Sequence, residues 1–483
     1  MRGVGIVRTA VVVVAGAAMV WGAGRSDARL DLSRPDDTRV AAPSDMRSLT
    51  RSEVVCPGPD RPGSPGTGAA AQDVQLITAS LPEEMLPDHP IGAGGAITAR
   101  TLPGSGALLA VDRRGDVATG TVSGPSGVDV VGSGALAPGL TALQVDDDRA
   151  PATHGLAMTT CTRTASTSYL IAGGPEPGRL ERVVLTNPSP NPVVARVSVL
   201  GTTHTQDVTV AGRSRAVTLL GAVDDTAQAP VVKVTSASGT LAVALSDLFQ
   251  DGTRPVGSEV TGPARPPAQS SLIPAVLTGA SPLSVRVGVP GAEDAVVRVQ
   301  VVGPSEDPVP DAVRTVAAGS SGTITLPDLP AQRYALRITS DVPVVAAAES
   351  VSGRGTGGAT DIAWMPTSEP ITAVGGTPVP RVPGASAALV LSAEDDAEQV
   401  VTVGLTDTSG TTTPQRVRIP AGGVANVPTG SATAVWVRTT ARPVHAALVV
   451  SGSERGLPML SAVPVSPVAV AATVMDSREG LPQ

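Results

Sequence analysis

A β-rich unit recurs about every 100 residues along this chain, and a fixed period of this kind constrains the fold more than any single motif does. The copies begin with apolar strands near Val183, Val285 and Leu389. In each copy a following strand alternates in polarity, as in Val297-Arg298-Val299-Gln300-Val301. Because successive side chains of a strand point to opposite faces, this alternation buries one face of a sheet. The repeat therefore predicts a modular, mainly β protein.

Each copy holds about six short strands in roughly 70 residues, a spacing typical of a small antiparallel sandwich. The sequence contains 45 Pro and 53 Gly, and few windows long enough for a stable helix lack them. We therefore predict an all-β fold of tandem Ig-like sandwich modules after one N-terminal transmembrane helix. A β-propeller-like closure of the repeats is the alternative, but a propeller blade needs only about 40–50 residues.

The composition divides the chain into six segments. Residues 1–24 are predicted to be a signal anchor or transmembrane segment, and residues 25–72 an extracellular stalk rich in Pro and Gly. Polar, proline-containing stretches of this kind bury little surface and stay extended. A divergent β module and three β repeats follow, with the predicted boundaries 73–180, 181–270, 271–370 and 371–483.

The apolar segment from Thr9 to Gly24 contains no charged residue, and Arg2 and Arg8 precede it. Positive charges on this side predict a cytoplasmic N-terminus and an extracellular C-terminal region. The segment is short for a membrane span of about 20 residues and also fits the apolar core of a signal peptide. Because Trp21 lies where a cleavage site needs small residues, we expect an uncleaved, single-pass anchor in the cell membrane. Secretion after signal-peptide cleavage is the alternative.

Two cysteines occur in the sequence, Cys56 and Cys161, and they bracket the first β module. In an exported chain an isolated pair most simply forms a disulfide. Such a bond closes a loop of about 100 residues and stabilises the fold by about 4–5 kcal/mol in the chain-entropy description. Two unpaired buried thiols are the alternative. Because no C-x-x-C is present and the four histidines are scattered, metal ligation and a cysteine nucleophile are not expected.

Two short sequence motifs match patterns that have a function in other proteins. Residues 353–358 satisfy G-x-G-x-x-G, but the extended stretch around Trp364 follows where a dinucleotide site needs a helix. We therefore predict a flexible surface loop there. Arg114-Gly115-Asp116 matches the adhesive tripeptide, yet it lies between two short apolar strands, where Gly-Asp is an ordinary hairpin turn.

The remaining polar candidates give no recognisable constellation. The acidic runs 146–148 and 394–396 lack the spacing of a calcium loop, and we expect both to be solvated turns. The histidines each stand alone in their segments, and His445 is expected to be a partly buried structural residue. These histidines are His89, His154, His204 and His445. We predict no catalytic residue, no cofactor and no metal site.

Charge and aromatic content narrow the set of partners. The net charge is −8, which gives no electrostatic footprint for nucleic acid, so no nucleic-acid partner is expected. The chain holds three Trp, two Tyr and one Phe, and this scarcity weakens two modes of binding, sugar-binding platforms and single-stranded nucleic-acid grooves, because both depend on stacked aromatic rings.

The repeats share short motifs, namely a strand ending in Asn-Pro at 185–188, strands running into Ala-Gly, and Ser before Pro-Val-Val-Ala at 340–346. By these motifs the repeats resemble an uncharacterised actinobacterial cell-envelope family, a domain of unknown function. The likeness covers nearly the whole chain, and its motifs are diffuse. The resemblance implies one N-terminal membrane segment and a repetitive extracellular β region, and it implies no activity.

Two functional hypotheses follow. In the first, the chain is a non-catalytic extracellular protein of the cell envelope, anchored in the membrane by its N-terminal helix. Its β repeats then act as a scaffold or interaction module for an envelope protein, a glycan or another copy of the chain. In the second, it is an extracellular glycan-active enzyme whose site is assembled across modules. Repetition of the modules and the lack of a catalytic motif favour the first.

Overall fold

The computed structural model describes residues 45–60, 73–87, 94–104, 106–150, 153–279, 282–303 and 309–474. These residues are nearly all β and form antiparallel sheets, which confirms the predicted all-β class. Helical structure among them is limited to one turn, α1 (Leu220–Val223), and to three 3₁₀ turns, Glu83–Met85, Gly134–Leu136 and Thr356–Gly358. The anchor predicted at 1–24 lies outside the described residues. Within the described ranges no helix has the length and apolarity that a membrane crossing requires.

The chain forms two compact units. Of the described residues, 45–47 and 472–474 fall in the smaller unit, and the larger comprises Ser48–Ala471. Strands β1 (Asp45–Ser48) and β34 (Ala471–Val474) pair with each other as a separate two-stranded sheet. All other strands lie in the larger unit.

The larger unit consists of four modules. Module 1 contains β2 (Arg51–Cys56), β3 (Val74–Ala79), β4 (Ile97–Leu102), β5 (Ala107–Val111), β6 (Val117–Val122), β7 (Gly127–Ser133), β8 (Thr141–Asp148) and β9 (Gly155–Thr160). Module 2 contains β10 (Thr167–Ile171), β11 (Arg179–Asn187), β12 (Val193–Val199), β13 (Thr205–Val210), β14 (Ser214–Leu219), β15 (Val231–Ser236), β16 (Ala242–Asp251) and β17 (Arg254–Thr261).

The second pair of modules completes the unit. Module 3 contains β18 (Ala268–Leu277), β19 (Ser284–Gly288), β20 (Ala295–Val302), β21 (Ala312–Val316), β22 (Ser321–Thr325), β23 (Arg333–Val351) and β24 (Ile362–Pro366). Module 4 contains β25 (Val374–Pro378), β26 (Ala385–Ala393), β27 (Gln399–Thr406), β28 (Thr412–Ile419), β29 (Val424–Pro428), β30 (Ala434–Arg438), β31 (Val444–Glu454) and β32 (Leu457–Pro464), and β33 (Ser466–Pro467) adds to its edge.

All four modules have the same topology. If the strands of a module are numbered 1 to 8, they form two antiparallel sheets with the orders 1-6-3-4 and 5-2-7-8. In module 3 the long strand β23 supplies both the sixth and the seventh strand. Its first part pairs with β18 and β20, and its last part pairs with β19 and β24. The divergent first module predicted from the sequence is therefore a full copy of this topology.

The two sheets of each module enclose one apolar core, as the period-two pattern predicts. In module 2, Leu170 and Val197 from one sheet pack in the same cluster as Leu185 and Leu245 from the other. Each of these four side chains is fully buried. Burial of such a side chain contributes about 1.5–3 kcal/mol. In a WD40-type propeller one repeat supplies the strands of one blade. Here the chain passes repeatedly between two sheets, so each module is a two-sheet unit rather than a single blade.

The modules of the structure begin earlier in the chain than the predicted boundaries. The first strand of module 1, β2, lies within the stretch 25–72 that the sequence assigns to the stalk, and it pairs with β7. Likewise β10 precedes the predicted start at 181 and pairs with β15. A first strand joins its module only by pairing with the distant sixth strand, which local composition does not reveal. The Ig-like assignment and the boundaries as folding units stay predictions.

The modules close into a ring. Their eighth strands, which we call the axial strands, are β9, β17, β24 and β32. Strand β9 contacts β17, β17 contacts β24, β24 contacts β32, and β32 contacts β9. Each axial strand is the edge of its sheet. Since an edge strand presents unpaired N–H and C=O groups, the ring covers four such edges together.

The segment after β32 joins module 4 to module 1. The N–H of Val468 donates to Val374 O at 3.0 Å within module 4. The next residue, Ala469, accepts from Gly139 N–H of module 1 at 2.9 Å. Elsewhere in the ring the linkers between modules make the same kind of contact, since Ala165 donates to Leu241 O at 2.9 Å. The tail of module 4 thus takes the place of a fourth linker and closes the ring.

Candidate functional site

A buried carboxylate joins three modules at the ring axis. Asp361 directly precedes β24 and has no exposed surface. Its Oδ2 accepts hydrogen bonds from the backbone N–H groups of Leu156 in β9 and Leu460 in β32, both at 2.9 Å. Its Oδ1 accepts from the N–H of Ile362 at 3.0 Å. One side chain therefore satisfies backbone donors on the axial strands of modules 1, 3 and 4.

Glu259 in β17 connects module 2 to the same axis. Its Oε1 accepts from the N–H groups of Val260 at 2.9 Å and Met158 at 3.3 Å, and its Oε2 accepts from the Ser461 hydroxyl at 2.9 Å. Burial raises the pKa of Glu259 well above its ordinary value, and the nearby negative charge of Asp361 raises the pKa further. The two carboxyl groups together connect all four modules.

The raised pKa of Glu259 makes the stability of the ring pH-dependent. The folded protein holds this proton more tightly than the unfolded chain does. The contribution of the protonated form is therefore complete below the ordinary pKa of 4.5 and is lost as pH rises through the folded pKa. Glu259→Gln cannot ionise. We expect the stability of the wild type relative to this variant to fall as pH rises from about 5 to 8.

Guanidinium unfolding of both proteins across this pH range measures the effect. The exposed carboxyl Glu398, which pairs with Arg418 at 3.0 Å, provides the control substitution Glu398→Gln. A difference between the wild type and Glu259→Gln that stays constant with pH would contradict the assignment.

An open cavity of about 890 Å³ lies where the axial strands end. The ends of all four axial strands and the segment that follows each of them line it. These segments of the lining are Met158–Thr167, Thr261–Pro267, Pro366–Thr372 and Ala462–Val468. Every module therefore contributes the corresponding part of its chain to one site, which we call the axial cavity.

The lining combines apolar surface with hydroxyl groups and three charged side chains. Prolines contribute from three modules, and Tyr169 and Trp364 are its aromatic residues. The charged side chains are Arg163, Arg265 and Glu369. Glu369 lies 3.7 Å from Arg265 Nε as an ion pair. A concave, mainly apolar surface with a few converging polar groups is typical of a small-molecule site.

A buried charged cluster fixes Trp364 behind the cavity. Its indole Nε1–H donates to Asp247 Oδ2 at 2.9 Å, and Arg179 donates to both oxygens of Asp247 at 2.9 and 2.6 Å. Arg179 also bonds Glu349 at 3.0 Å. The Arg286 guanidinium lies 4.8 Å from the centre of the Trp364 ring, and burial lowers its pKa to about 10. The cluster joins modules 2 and 3 and holds the indole in one orientation.

Ser368 and His445 form a hydrogen-bonded pair at the cavity lining. Ser368 Oγ lies 2.8 Å from His445 Nδ1, and Nε2 of the buried imidazole has no hydrogen-bond partner among the described residues. Burial, and to a lesser degree the charge of Arg265, lowers the pKa of His445 to about 3. A general base works best with a pKa near the working pH. We therefore assign this pair to packing, in agreement with the structural role predicted for His445.

The two cysteines meet as the sequence predicts. Cys56 at the end of β2 and Cys161 directly after β9 form a disulfide with a Cα–Cα distance of 4.4 Å. Both are buried, and Cys161 belongs to the cavity lining. The bond fastens the first strand of module 1 beside its axial strand, so it supports the wall of the cavity.

The adhesive tripeptide is part of a turn. Arg114 is partly buried and donates to the carbonyls of Leu81, at 2.6 Å, and Ala135. Asp116 pairs with Arg113 at 3.1 Å. The turn prediction is confirmed, but the hairpin is not, because β5 pairs with β4 and β6 pairs with β3 in different sheets. The apolar strands on either side are alike in sequence, and only tertiary pairing separates them.

The other motifs have ordinary structural positions. Residues 353–358 form a loop between β23 and β24, as predicted. The run 394–396 is a bend in which Asp395 pairs with Arg442, again as predicted. The run 146–148 was expected to be a solvated turn, and this is wrong. It completes β8, with Asp146 and Asp148 buried, because this strand continues in register with β9.

The isolated histidines also remain apart. His154 is buried, and the exposed His204 lies 3.4 Å from Asp224. His89 lies outside the described residues. Sequence reasoning missed Asp361, Glu259, Arg163 and Ser368. Glu259 left no clear signal, because its strand β17 also carries Ser258 and Thr261 and is not apolar by sequence.

Fold and site together define an all-β protein of four two-sheet modules closed around a single axial cavity. The profile of a family of unknown function, DUF5719, matches residues 117–429. This match spans more than half of the chain, so the protein belongs to that family. The resemblance to an uncharacterised family is thereby confirmed, while actinobacterial origin and the N-terminal membrane segment stay predictions. No curated protein matches the chain.

Several solved structures show limited similarity. The Anabaena sensory rhodopsin transducer is 20% identical over 17% of this chain and 95% of its own, with a TM-score of 0.16. A tetra-tandem repeat from the extending region of a large adhesion protein is 15% identical over 79% and 93%, with a TM-score of 0.10. A point mutant of the major pilin from Streptococcus pyogenes is 10% identical over 83% and 100%, with a TM-score of 0.13. Similarities at these TM-scores carry no functional argument.

Proposed function

We propose that this protein is a non-catalytic, extracellular scaffold of the cell envelope whose ring of modules presents one binding site at its axis. The observation that carries this proposal is the shared axial cavity, to which all four modules contribute corresponding segments. A site formed at every module junction exists only while the ring is closed. Repetition then serves to build one site rather than four separate ones.

The disulfide supports the extracellular placement. Structural disulfides persist in oxidising compartments and are rare in the cytosol. Together with the apolar, positively flanked segment at 1–24, this bond favours export of the modules, with that segment as a single-pass anchor or a cleaved signal. The partner is then an envelope protein or glycan on the outer side of the membrane.

The enzymatic alternative would place its chemistry at the same cavity. Ser368 is the hydroxyl of the lining that has a histidine partner. An imidazole with a pKa near 3 accepts the serine proton poorly at neutral pH, and its Nε2 has no orienting acid within the described residues. These observations favour binding over catalysis.

Site-specific photo-crosslinking in intact cells tests the proposal. A photoreactive amino acid replaces the exposed cavity residue Thr372 in the full-length protein, and Thr413 on β28, exposed and outside the lining, serves as the matched control. We expect an envelope component to be captured at Thr372 and not at Thr413. Equal capture at both positions would contradict an axial binding site. Turnover of envelope polysaccharide by the purified protein, abolished by a single carboxylate substitution, would contradict the non-catalytic role.

A further inference from the structure

The chemistry of the axial cavity restricts what it binds, and the first restriction concerns extended peptides. A peptide commonly binds by adding a strand to a free sheet edge. The first strand of each module lies at an edge of its sheet, but the segment after an axial strand already pairs with it. The pairs are Val55 with Thr162, Tyr169 with Ala264, Leu272 with Ser368, and Gly376 with Ser466. Recognition in this cavity therefore depends on side chains.

The second restriction comes from the hydroxyl groups. Ser166, Thr167 and Thr372 are exposed at the cavity, and Thr162 and Ser466 are half-buried there. A hydroxyl both donates and accepts hydrogen bonds. A ligand that carries many hydroxyl groups can match such a lining in both roles. Tyr169 also belongs to this lining, although most of its side chain is buried.

The third restriction is the charge at the cavity. Arg163 is exposed, and among the described residues of the lining the single carboxylate, Glu369, pairs with Arg265 instead. An arginine guanidinium forms two parallel hydrogen bonds with a carboxylate. The Arg265–Glu369 pair is neutral in sum, so Arg163 gives the lining a net charge of about +1. It selects for a ligand with an acidic group.

From these restrictions we infer that the axial cavity binds a saccharide that carries a carboxylate, with Arg163 holding the acid group and the Ser and Thr hydroxyls holding the ring hydroxyls. The cavity volume of about 890 Å³ falls within the range of small-molecule sites, about 300–1,000 Å³. This inference rests on the proposed binding function and specifies its ligand class.

Calorimetric titration of the purified full-length protein with trigalacturonic acid tests the inference, with the methyl ester of the same trisaccharide as the uncharged probe. We expect the acid to bind at least 10-fold more tightly than the ester. We expect Arg163→Gln to weaken binding of the acid at least 10-fold and so to remove this preference. Arg416→Gln, an exposed arginine on β28 outside the lining, is the matched control and should retain the preference.

Two further outcomes separate this inference from the proposed function. If neither trisaccharide binds but crosslinking at Thr372 still captures an envelope protein, the saccharide class is overturned and the axial binding role stands. If the acid binds and Thr372→Trp, which places a bulky indole in the cavity, leaves its affinity unchanged, the saccharide site lies elsewhere and the inference is overturned. Loss of the crosslink and of saccharide binding together would overturn both.

Discussion

Asp361→Ala is expected to lower the free energy of unfolding by about 3–6 kcal/mol, because three buried backbone donors lose their acceptor at once. The donors are the N–H groups of Leu156, Ile362 and Leu460, which lie on three different modules. Guanidinium denaturation of the purified protein measures the loss. The control Asp328→Asn, at an exposed position of module 3, should leave stability within about 0.5 kcal/mol of the wild type.

The variant Asp361→Asn shows how much of the lost stability comes from the missing hydrogen-bond acceptor and how much from the missing side-chain volume. Asparagine has nearly the same shape, but its amide presents one oxygen and one NH₂ group. Both carboxylate oxygens of Asp361 accept from backbone N–H groups. Either orientation of the amide therefore places a donor against a donor, and we expect Asp361→Asn to lose at least about 2 kcal/mol. An Asn variant as stable as the wild type would show that this side chain does not hold the axial strands together.

Replacement of both cysteines by serine is expected to destabilise the protein by about 4–5 kcal/mol, since the bond spans a sequence separation of 105 residues. The freed strand β2 then holds to module 1 through its pairing with β7 and through the contacts of Val55 with Thr162. Equilibrium unfolding under oxidising conditions measures the loss.

Two comparisons check the cause of that loss. The variant Cys56→Ala with Cys161→Ala removes the same crosslink without adding buried hydroxyls. It should lose a similar amount of stability if the crosslink, and not the buried serine hydroxyls, is the cause. The wild type unfolded with an added thiol reductant should lose a similar amount of stability. If the reduced wild type keeps its full stability, the crosslink does not stabilise the protein by lowering the conformational entropy of the unfolded chain.

Much of the local fold follows from sequence pattern. Alternation in Val297–Val301 predicts a strand, and the structure extends β20 through these residues. Equivalent strands of two repeats place Tyr334 and Trp436 in the core, and these residues are 2% and 1% exposed. The disulfide between Cys56 and Cys161 is predictable because two cysteines in an exported chain leave one simple pairing. Such features are recognisable because each depends on residues close in sequence or on a unique pair.

The candidate functional site was much harder to predict from the sequence than the local fold. Asp361 accepts from Leu156, 205 residues away, and Trp364 donates to Asp247, 117 residues away. Neither contact leaves a local pattern, because it depends on which edge strands face each other once the modules close. The cavity has the same origin. Its lining comes from linkers that read individually as Pro-rich connectors, such as Gly262–Pro267.

The sequence by itself determined the all-β class, the strands of the repeated modules and the disulfide. It determined these because burial on alternate positions and turn chemistry are local properties. Only the tertiary structure decided that the first β region is a fourth equal module, that the four modules close into a ring, and that Asp361 and Glu259 join them. The completeness of that first module depends on the pairing of β2 with the distant strand β7. The ring depends on edge-strand donors that buried carboxylates of other modules satisfy, and this requirement exists only in the assembled protein.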